Sequence, residues 1–181
     1  SSSARTYTSQ ARNKRANRKA EFLLHDTEFI AALASVTTNY QYPNSLFTEA
    51  WKTICLNQFH DIIPGSSIGP VYEESQAQYA ELTTNITQLR NEALQSLSQK
   101  LDGDILLVNP TSFTQQGLVF IPGDSFQRFA LNGQPVSAQQ ADSGLWVDAG
   151  ELAPYSVTSL SGVGQLAALD FATISRTPEL E

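Results

Sequence analysis

One long seam of apolar and small residues constrains the fold of this chain more than any other feature. Between Val71 and Leu101 such residues recur at steps of three or four, the spacing of one face of an α-helix. Gly69-Pro70 supplies a proline at the first helical position, and Asp102-Gly103-Asp104 ends the pattern. A helix with one apolar face needs partners on that face. The seam consists of Val71, Ser75, Tyr79, Leu82, Ile86, Leu89, Ala93, Leu97 and Leu101.

Two further helical patterns precede this seam and predict the partners that it needs. The second pattern is apolar over a wide arc, so we expect it to be the most buried helix, with Cys55 as a small core residue. Three helices joined by short turns predict an antiparallel three-helix bundle. The first seam is Ala16, Ala20, Leu23, Thr27, Ile30 and Ala34; the second is Phe47, Trp51, Ile54 and Gln58, flanked by Ala50, Cys55 and Phe59.

The pattern changes after Asp102, where short apolar runs separated by turn residues replace the long seams. Asn132-Gly133 is the strongest hairpin signal among them. We therefore predict an α+β chain: a three-helix bundle over residues 1–102 and a β-sandwich-like region over 103–181. The predicted strands are 105–108, 118–121, 126–131, 136–140, 145–147 and 155–160.

Composition limits the function classes. No apolar run approaches the roughly 20 residues of a membrane span, so we expect no membrane partner. Six of the eleven basic residues lie between Arg5 and Lys19, but no nucleic-acid-binding signature accompanies them, so we expect a solvated or docked helix face and no nucleic-acid partner. The single cysteine excludes a disulfide framework within one chain and favours a reducing, cytoplasmic location.

The motif with chemical content lies at the end of the second helical pattern. A helix predicted over Leu46–Phe59 leads into His60-Asp61, and Pro64-Gly65 is expected to stop it. An imidazole and a carboxylate thus stand together at a helix C-terminus, where positive charge, including a metal ion, is favoured. For a dipeptide alone, a helix end capped without function is the simpler interpretation.

The eleven residues of 57–67 read Asn-Gln-Phe-His-Asp-Ile-Ile-Pro-Gly-Ser-Ser and resemble the signature of glycoside hydrolase family 38, the zinc-dependent retaining α-mannosidases. The resemblance extends over most of the chain. Residues 6–15 resemble the segment that enters the three-helix bundle of these enzymes, residues 71–74 continue the signature, and Asn109-Pro110 resembles the start of their C-terminal β-rich region. The resemblance therefore implies the same order of helices and strands.

The resemblance also implies roles for the two motif residues. His60 matches a histidine that binds zinc, and the zinc in turn holds two hydroxyls of the mannose at the cleavage point. Asp61 matches an aspartate that contacts sugar hydroxyls. The nucleophile, the acid/base and the remaining zinc ligands of the family lie in an N-terminal catalytic domain without counterpart in this chain. We therefore expect the chain to act with that missing domain on mannose-containing glycans and to be inactive alone.

Some residues depart from the family pattern, and other functions stay open. Ser3-Ala4-Arg5 stands where the family has His-Arg-Gly, which leaves Tyr7 without a firm role, and His25-Asp26 has no family counterpart and is interpreted as surface. The alternatives are a free-standing carbohydrate-binding or interaction module, and a plain helical scaffold. Phe22 and Phe29 form a second apolar stripe; we expect it to be left exposed in a fragment and covered or used in a module.

Overall fold

The computed structural model describes residues 11–64, 66–123 and 127–165 and divides into two compact units between Lys100 and Leu101. Within these ranges, the first unit contains the helices α1 (Ala11–Thr37), α2 (Asn44–Asn57) and α3 (Gly69–Ser98). No helix in these ranges is long and apolar enough to span a membrane. The predicted start of α3 at Gly69-Pro70 is confirmed, with the proline in the first turn.

The helices α1 and α3 run in the same direction, and side-chain hydrogen bonds tie them together near both ends. Ser75 Oγ donates to Asn13 Oδ1 at 2.8 Å, and the hydroxyls of Thr38 and Ser96 are 2.7 Å apart. The predicted α3 seam is buried from Ser75 to Leu97, but Tyr72 replaces Val71 at its start, and Leu101 lies beyond the end of α3 at Ser98. The connecting helix α2 runs antiparallel to both, which gives the up-down-up order of a three-helix bundle.

The helix α2 is not the most buried helix, and Cys55 is not a core residue. Phe47, Ala50, Ile54 and Asn57 are its buried residues, whereas Cys55 is exposed. These four positions follow steps of three and four and so form one narrow stripe. The side chain of Cys55 falls outside this stripe, because α2 packs on its neighbours along one face only.

The second unit is built from seven described strands in two antiparallel sheets, which confirms the α+β prediction. One sheet has the order β1-β7-β3-β4 and the other β2-β6-β5. Side chains from both sheets form one core of Leu107, Phe129, Leu145, Val147, Ala149, Leu152 and Leu160, as in a β-sandwich. The strands are β1 (Ile105–Asn109), β2 (Gln115–Pro122), β3 (Gln127–Leu131), β4 (Gln134–Pro135), β5 (Ser137–Ala141), β6 (Gly144–Leu152) and β7 (Ser156–Gln165).

The predicted hairpin at Asn132-Gly133 is confirmed and connects β3 to β4. Leu131 pairs with Gln134, so Asn132 and Gly133 form a two-residue loop. Both have positive φ angles, 51° and 78°, as the tight turns of such hairpins require. Asparagine and glycine are the residues that adopt this left-handed backbone at least cost.

Asn109 connects the end of β1 to the β6–β7 connection through one buried amide. Its Nδ2 group donates to the carbonyl oxygens of Phe113, Leu152 and Ala153 at 2.9, 3.1 and 2.9 Å. Its Oδ1 atom accepts hydrogen bonds from the backbone N–H and the hydroxyl of Thr111. The residue is 2% exposed, so its amide makes these hydrogen bonds shielded from water.

We expect Asn109→Asp to lower the free energy of unfolding of the β unit by about 3 kcal/mol. The substitution removes the donor and places a carboxylate against three carbonyl oxygens in a buried position. Asn132→Asp is the matched control, because it makes the same chemical change at an exposed turn where aspartate is tolerated. Denaturant unfolding of the variants measures the difference; equal losses for the two would contradict the role of Asn109.

Candidate functional site

The helix that leads to the His-Asp pair ends earlier than predicted. The expected helix reached Phe59 and was stopped by Pro64-Gly65, but α2 ends at Asn57. The Asn57 side chain donates to the carbonyl oxygen of Thr53 at 3.0 Å, a local bond of the kind that competes with helical hydrogen bonding. The helix has therefore ended before Pro64 is reached, and Gly65 lies outside the described residues.

His60 and Asp61 occupy the two central positions of a tight turn. The carbonyl oxygen of Phe59 accepts the backbone N–H groups of Ile62 and Ile63 at 2.9 and 3.1 Å. The first of these bonds closes a four-residue turn around the pair. The backbone that carries the imidazole and the carboxylate is therefore hydrogen-bonded directly after the helix end.

Both side chains of the pair are available to an external ligand. The side chain of His60 is 75% exposed and that of Asp61 is 62% exposed. His60 Nε2 lies 3.4 Å from Asp61 Oδ2, and the ring of His60 lies 4.1 Å from that of Phe59. In the ranges that the structure describes, no other polar side chain is within hydrogen-bonding distance of either group. The imidazole and the carboxylate thus keep unused ligand and acceptor capacity.

The described residues alone do not fit a complete zinc site. Zinc in proteins is held by three or four side chains, and no three His, Cys, Asp or Glu side chains converge within residues 11–64, 66–123 and 127–165. His25 and Asp26 form a second exposed pair in the middle of α1, with Nδ1 and Oδ1 3.1 Å apart, as the sequence led us to expect. The structure does not bring this pair and the His60-Asp61 pair into one ligand set.

Polar residues buried between the helices were missed by the sequence analysis. Asn13 and Asn17 replace the predicted Ala16 at the start of the α1 seam and are 1% and 6% exposed. They precede Ala20 at steps of four and three, so they continue the helical spacing of the seam. Because both residues are polar, a pattern of apolar residues does not include them. Asn57, 2% exposed, belongs to the same class of buried amides.

A polar network links α1 to both other helices near the end of α2. Tyr79 donates its hydroxyl to Asn17 Oδ1 at 2.7 Å, and the Asn17 amide donates to Glu21 Oε1 at 3.1 Å. Gln58 Nε2 donates to the same Glu21 oxygen at 2.6 Å, and Arg18 contacts the other carboxylate oxygen at 2.8 Å. One carboxylate on α1 therefore collects donors from its own helix and from the residue that follows α2.

A groove between α2 and α3 lies apart from the His-Asp pair. Its volume is about 510 Å³, and its lining includes Glu49, Leu82 and Leu89 but neither His60 nor Asp61. The pair is therefore a surface feature and does not lie inside this cavity. Tyr7 and the tripeptide Ser3-Ala4-Arg5 lie outside the described residues.

Comparisons with known proteins agree on one family. The family model described as "Alpha mannosidase middle domain" matches residues 4–97. The chain is 33% identical over 136 residues to "Alpha-mannosidase" of Saccharomyces cerevisiae and 32% identical over 120 residues to "Alpha-mannosidase 2C1" of Homo sapiens. These alignments cover 74% and 65% of this chain but only 12% of each relative, so the chain spans about an eighth of their length.

A solved structure shows the same fold. The crystal structure of an alpha-mannosidase from Enterococcus faecalis V583 matches with a TM-score of 0.74 at 19% identity. The match covers 88% of this chain and 24% of that one. At this identity the likeness supports the order of helices and sheets, and residue roles need separate evidence.

The tyrosine of the polar network leads to a prediction about pH. Burial, followed by the negative charge of Glu21, raises the pKa of Tyr79 to about 12. The unfolded chain has a tyrosine pKa of about 10. The folded state thus favours the protonated phenol, and this contribution to stability is complete below about pH 10 and is lost as the pH rises through about 12.

We therefore expect the stability advantage of the wild-type chain over Tyr79→Phe to shrink between about pH 10 and 12. Urea unfolding of both proteins across this interval measures the difference, and other titrations common to both cancel. A difference that stays constant across the interval would show that the phenol is not held in its protonated form.

Proposed function

Because this chain belongs to the alpha-mannosidase middle-domain family, we propose that it is an internal portion of a longer, zinc-dependent retaining α-mannosidase. In this proposal the chain contributes one zinc ligand and one sugar contact to a site completed by other regions of the protein. The names of the curated relatives support the α-mannosidase activity, and their much greater length supports a site that other regions complete. The substrate would be a glycan with a terminal α-mannose.

The observation that carries the proposal is the exposed His60-Asp61 pair on a hydrogen-bonded turn. Imidazole nitrogen is a common zinc ligand, and the His60 ring is exposed while its backbone is held. The remaining ligands would come from outside the described residues, since these contain no complete set. If the zinc site is shared between domains, its exposed histidine must be held at a fixed position. The hydrogen bonds of the turn hold it there.

Asp61 is proposed to contact the sugar. A carboxylate only accepts hydrogen bonds at neutral pH, and neighbouring hydroxyls of a sugar offer such donors. The Asp61 side chain is 62% exposed and lies beside the proposed zinc ligand, at 3.4 Å from the imidazole. A sugar bound at the metal would therefore come within reach of this carboxylate.

The chain alone is proposed to be inactive. Retaining glycosidases need a nucleophile and an acid/base whose carboxyl groups are about 5 Å apart. In this proposal both belong to a catalytic domain elsewhere in the longer protein, and the chain's span of about an eighth of its curated relatives supports this. Of the Phe22-Phe29 stripe that was expected to be exposed in a fragment, Phe22 is 54% exposed with the Arg18 guanidinium 4.5 Å from its ring centroid, whereas Phe29 is partly buried, so the stripe does not decide between fragment and module.

A cytoplasmic location is also proposed. Cys55 is a free, exposed thiol at the surface of α2. An exposed cysteine without a disulfide partner persists most readily in a reducing compartment. The exposed thiol of Cys55 supports this location.

In the full-length protein that contains this sequence, we expect His60→Ala to lower the bound zinc and the hydrolysis of an aryl α-mannoside together. Removing one of three or four ligands weakens the site, while the exposed position leaves the bundle intact. Asp61→Asn should retain the zinc and raise KM, because the amide replaces two acceptors with one. Elemental analysis, steady-state kinetics and thermal unfolding measure these effects.

His25→Ala is the matched control, since it removes the histidine of the other exposed His-Asp pair. It should change neither zinc content nor kinetics. Zinc that remains stoichiometric in His60→Ala would refute the proposed ligand. Zinc-dependent hydrolysis by residues 1–181 alone would refute the proposed division of the active site.

A further inference from the structure

We infer that Asn57 and Gln58 are positioning residues that clamp the end of α2 to both neighbouring helices and thereby hold the His60-Asp61 turn in place. The clamp is a feature of the described structure, and its consequence for metal binding rests on the proposed function. The two amides stand directly before the turn, and each is bound to a different helix.

Gln58 forms the contact to α1. Its Nε2 atom donates to Glu21 Oε1 at 2.6 Å, and the acceptor is a carboxylate whose side chain is 22% exposed. A hydrogen bond to a charged, largely shielded acceptor is stronger than one between neutral groups. The backbone of Gln58 is meanwhile held in a helical conformation, with its N–H donating to Ile54 O at 3.1 Å. Both ends of this residue are therefore restrained.

Asn57 forms the contact to α3. Its Nδ2 atom donates to Gln78 Oε1 at 2.8 Å and to Thr53 O at 3.0 Å, and the residue is 2% exposed. Successive residues of a helix point about 100° apart, so two adjacent amides reach two different neighbours. The end of α2 is thus held from two directions, which restricts both its tilt and its rotation.

The turn follows the clamp without an intervening flexible residue. Phe59 N–H donates to Leu56 O at 3.1 Å, and Phe59 O then accepts the amides of Ile62 and Ile63. Rotation or fraying of the last helical turn would therefore move the His60 and Asp61 side chains directly. A ligand that must meet others from a different region of the protein tolerates little such movement.

Other polar bonds between the helices provide a comparison. The hydroxyls of Thr38 and Ser96 are 2.7 Å apart and link α1 to α3 at the opposite end of the bundle. This bond contributes to the bundle but touches neither α2 nor the turn. If both kinds of bond served only the stability of the bundle, breaking either one would affect the turn equally. A positioning role predicts that breaking the clamp affects the turn and breaking the Thr38–Ser96 bond does not.

The first test uses residues 1–181 and needs no metal. Gln58→Glu places a second carboxylate against Glu21. In Gln58→Glu we expect the amides of Phe59, Ile62 and Ile63 to exchange with deuterium about tenfold faster or more. Ser96→Ala should leave these amides unchanged.

The clamp is overturned if those three amides exchange at the wild-type rate in Gln58→Glu. It is also overturned if Ser96→Ala accelerates them equally. Exchange elsewhere in α1 and α3, together with the melting temperature of each variant, shows whether the bundle stays folded.

The second test measures zinc release to a chelator from the full-length protein. Gln58→Glu should release zinc about tenfold faster, and Ser96→Ala should release it at the wild-type rate. Wild-type release from Gln58→Glu, combined with zinc loss in His60→Ala, would overturn the positioning role while leaving the proposed function standing. Retention of zinc in His60→Ala would refute the proposed function, while the deuterium result would still decide the clamp.

Discussion

The packing of α1 against α3 is the contact on which the rest of the helical unit depends. Leu24 and Ala31 on α1 and Ile86 and Ala93 on α3 are almost completely buried. Burying one large aliphatic side chain contributes about 1.5–3 kcal/mol, so this seam stabilises the pair of helices through many such contributions. The shorter α2 packs on this pair through one narrow stripe of buried residues. Most of the rest of its surface is exposed, and Cys55 lies on that exposed part. The orientation of α2 therefore depends on polar bonds.

Those polar bonds connect α2 to carboxylate groups on α1. Glu21 accepts hydrogen bonds from Asn17 on its own helix and from Gln58, the residue that follows α2. Glu28 has a similar role further along α1, where it accepts from the indole of Trp51 at 2.9 Å. A carboxylate shared between helices restricts their relative rotation more than apolar contact does, because hydrogen bonds are directional.

The helices and the main strands could be predicted from local patterns, because periodicity reports which face is buried. The α3 seam and the Asn132-Gly133 hairpin are cases where local preference and tertiary structure agree. The buried Asn13 and Asn17 could not be recognised, because their burial depends on acceptors and donors supplied by a distant helix. His60 and Asp61 were located by motif, but the contacts that hold the residues before them, to Glu21 and Gln78 on other helices, are not revealed by any local pattern.

The central claim is that His60 binds a zinc ion whose other ligands lie beyond the described residues. Anomalous diffraction at the zinc edge, recorded from crystals of the full-length protein, tests it most directly. The account predicts a peak about 2.0–2.1 Å from a ring nitrogen of His60, with further protein ligands from outside residues 11–64, 66–123 and 127–165. A fully coordinated zinc ion that His60 does not touch would contradict it.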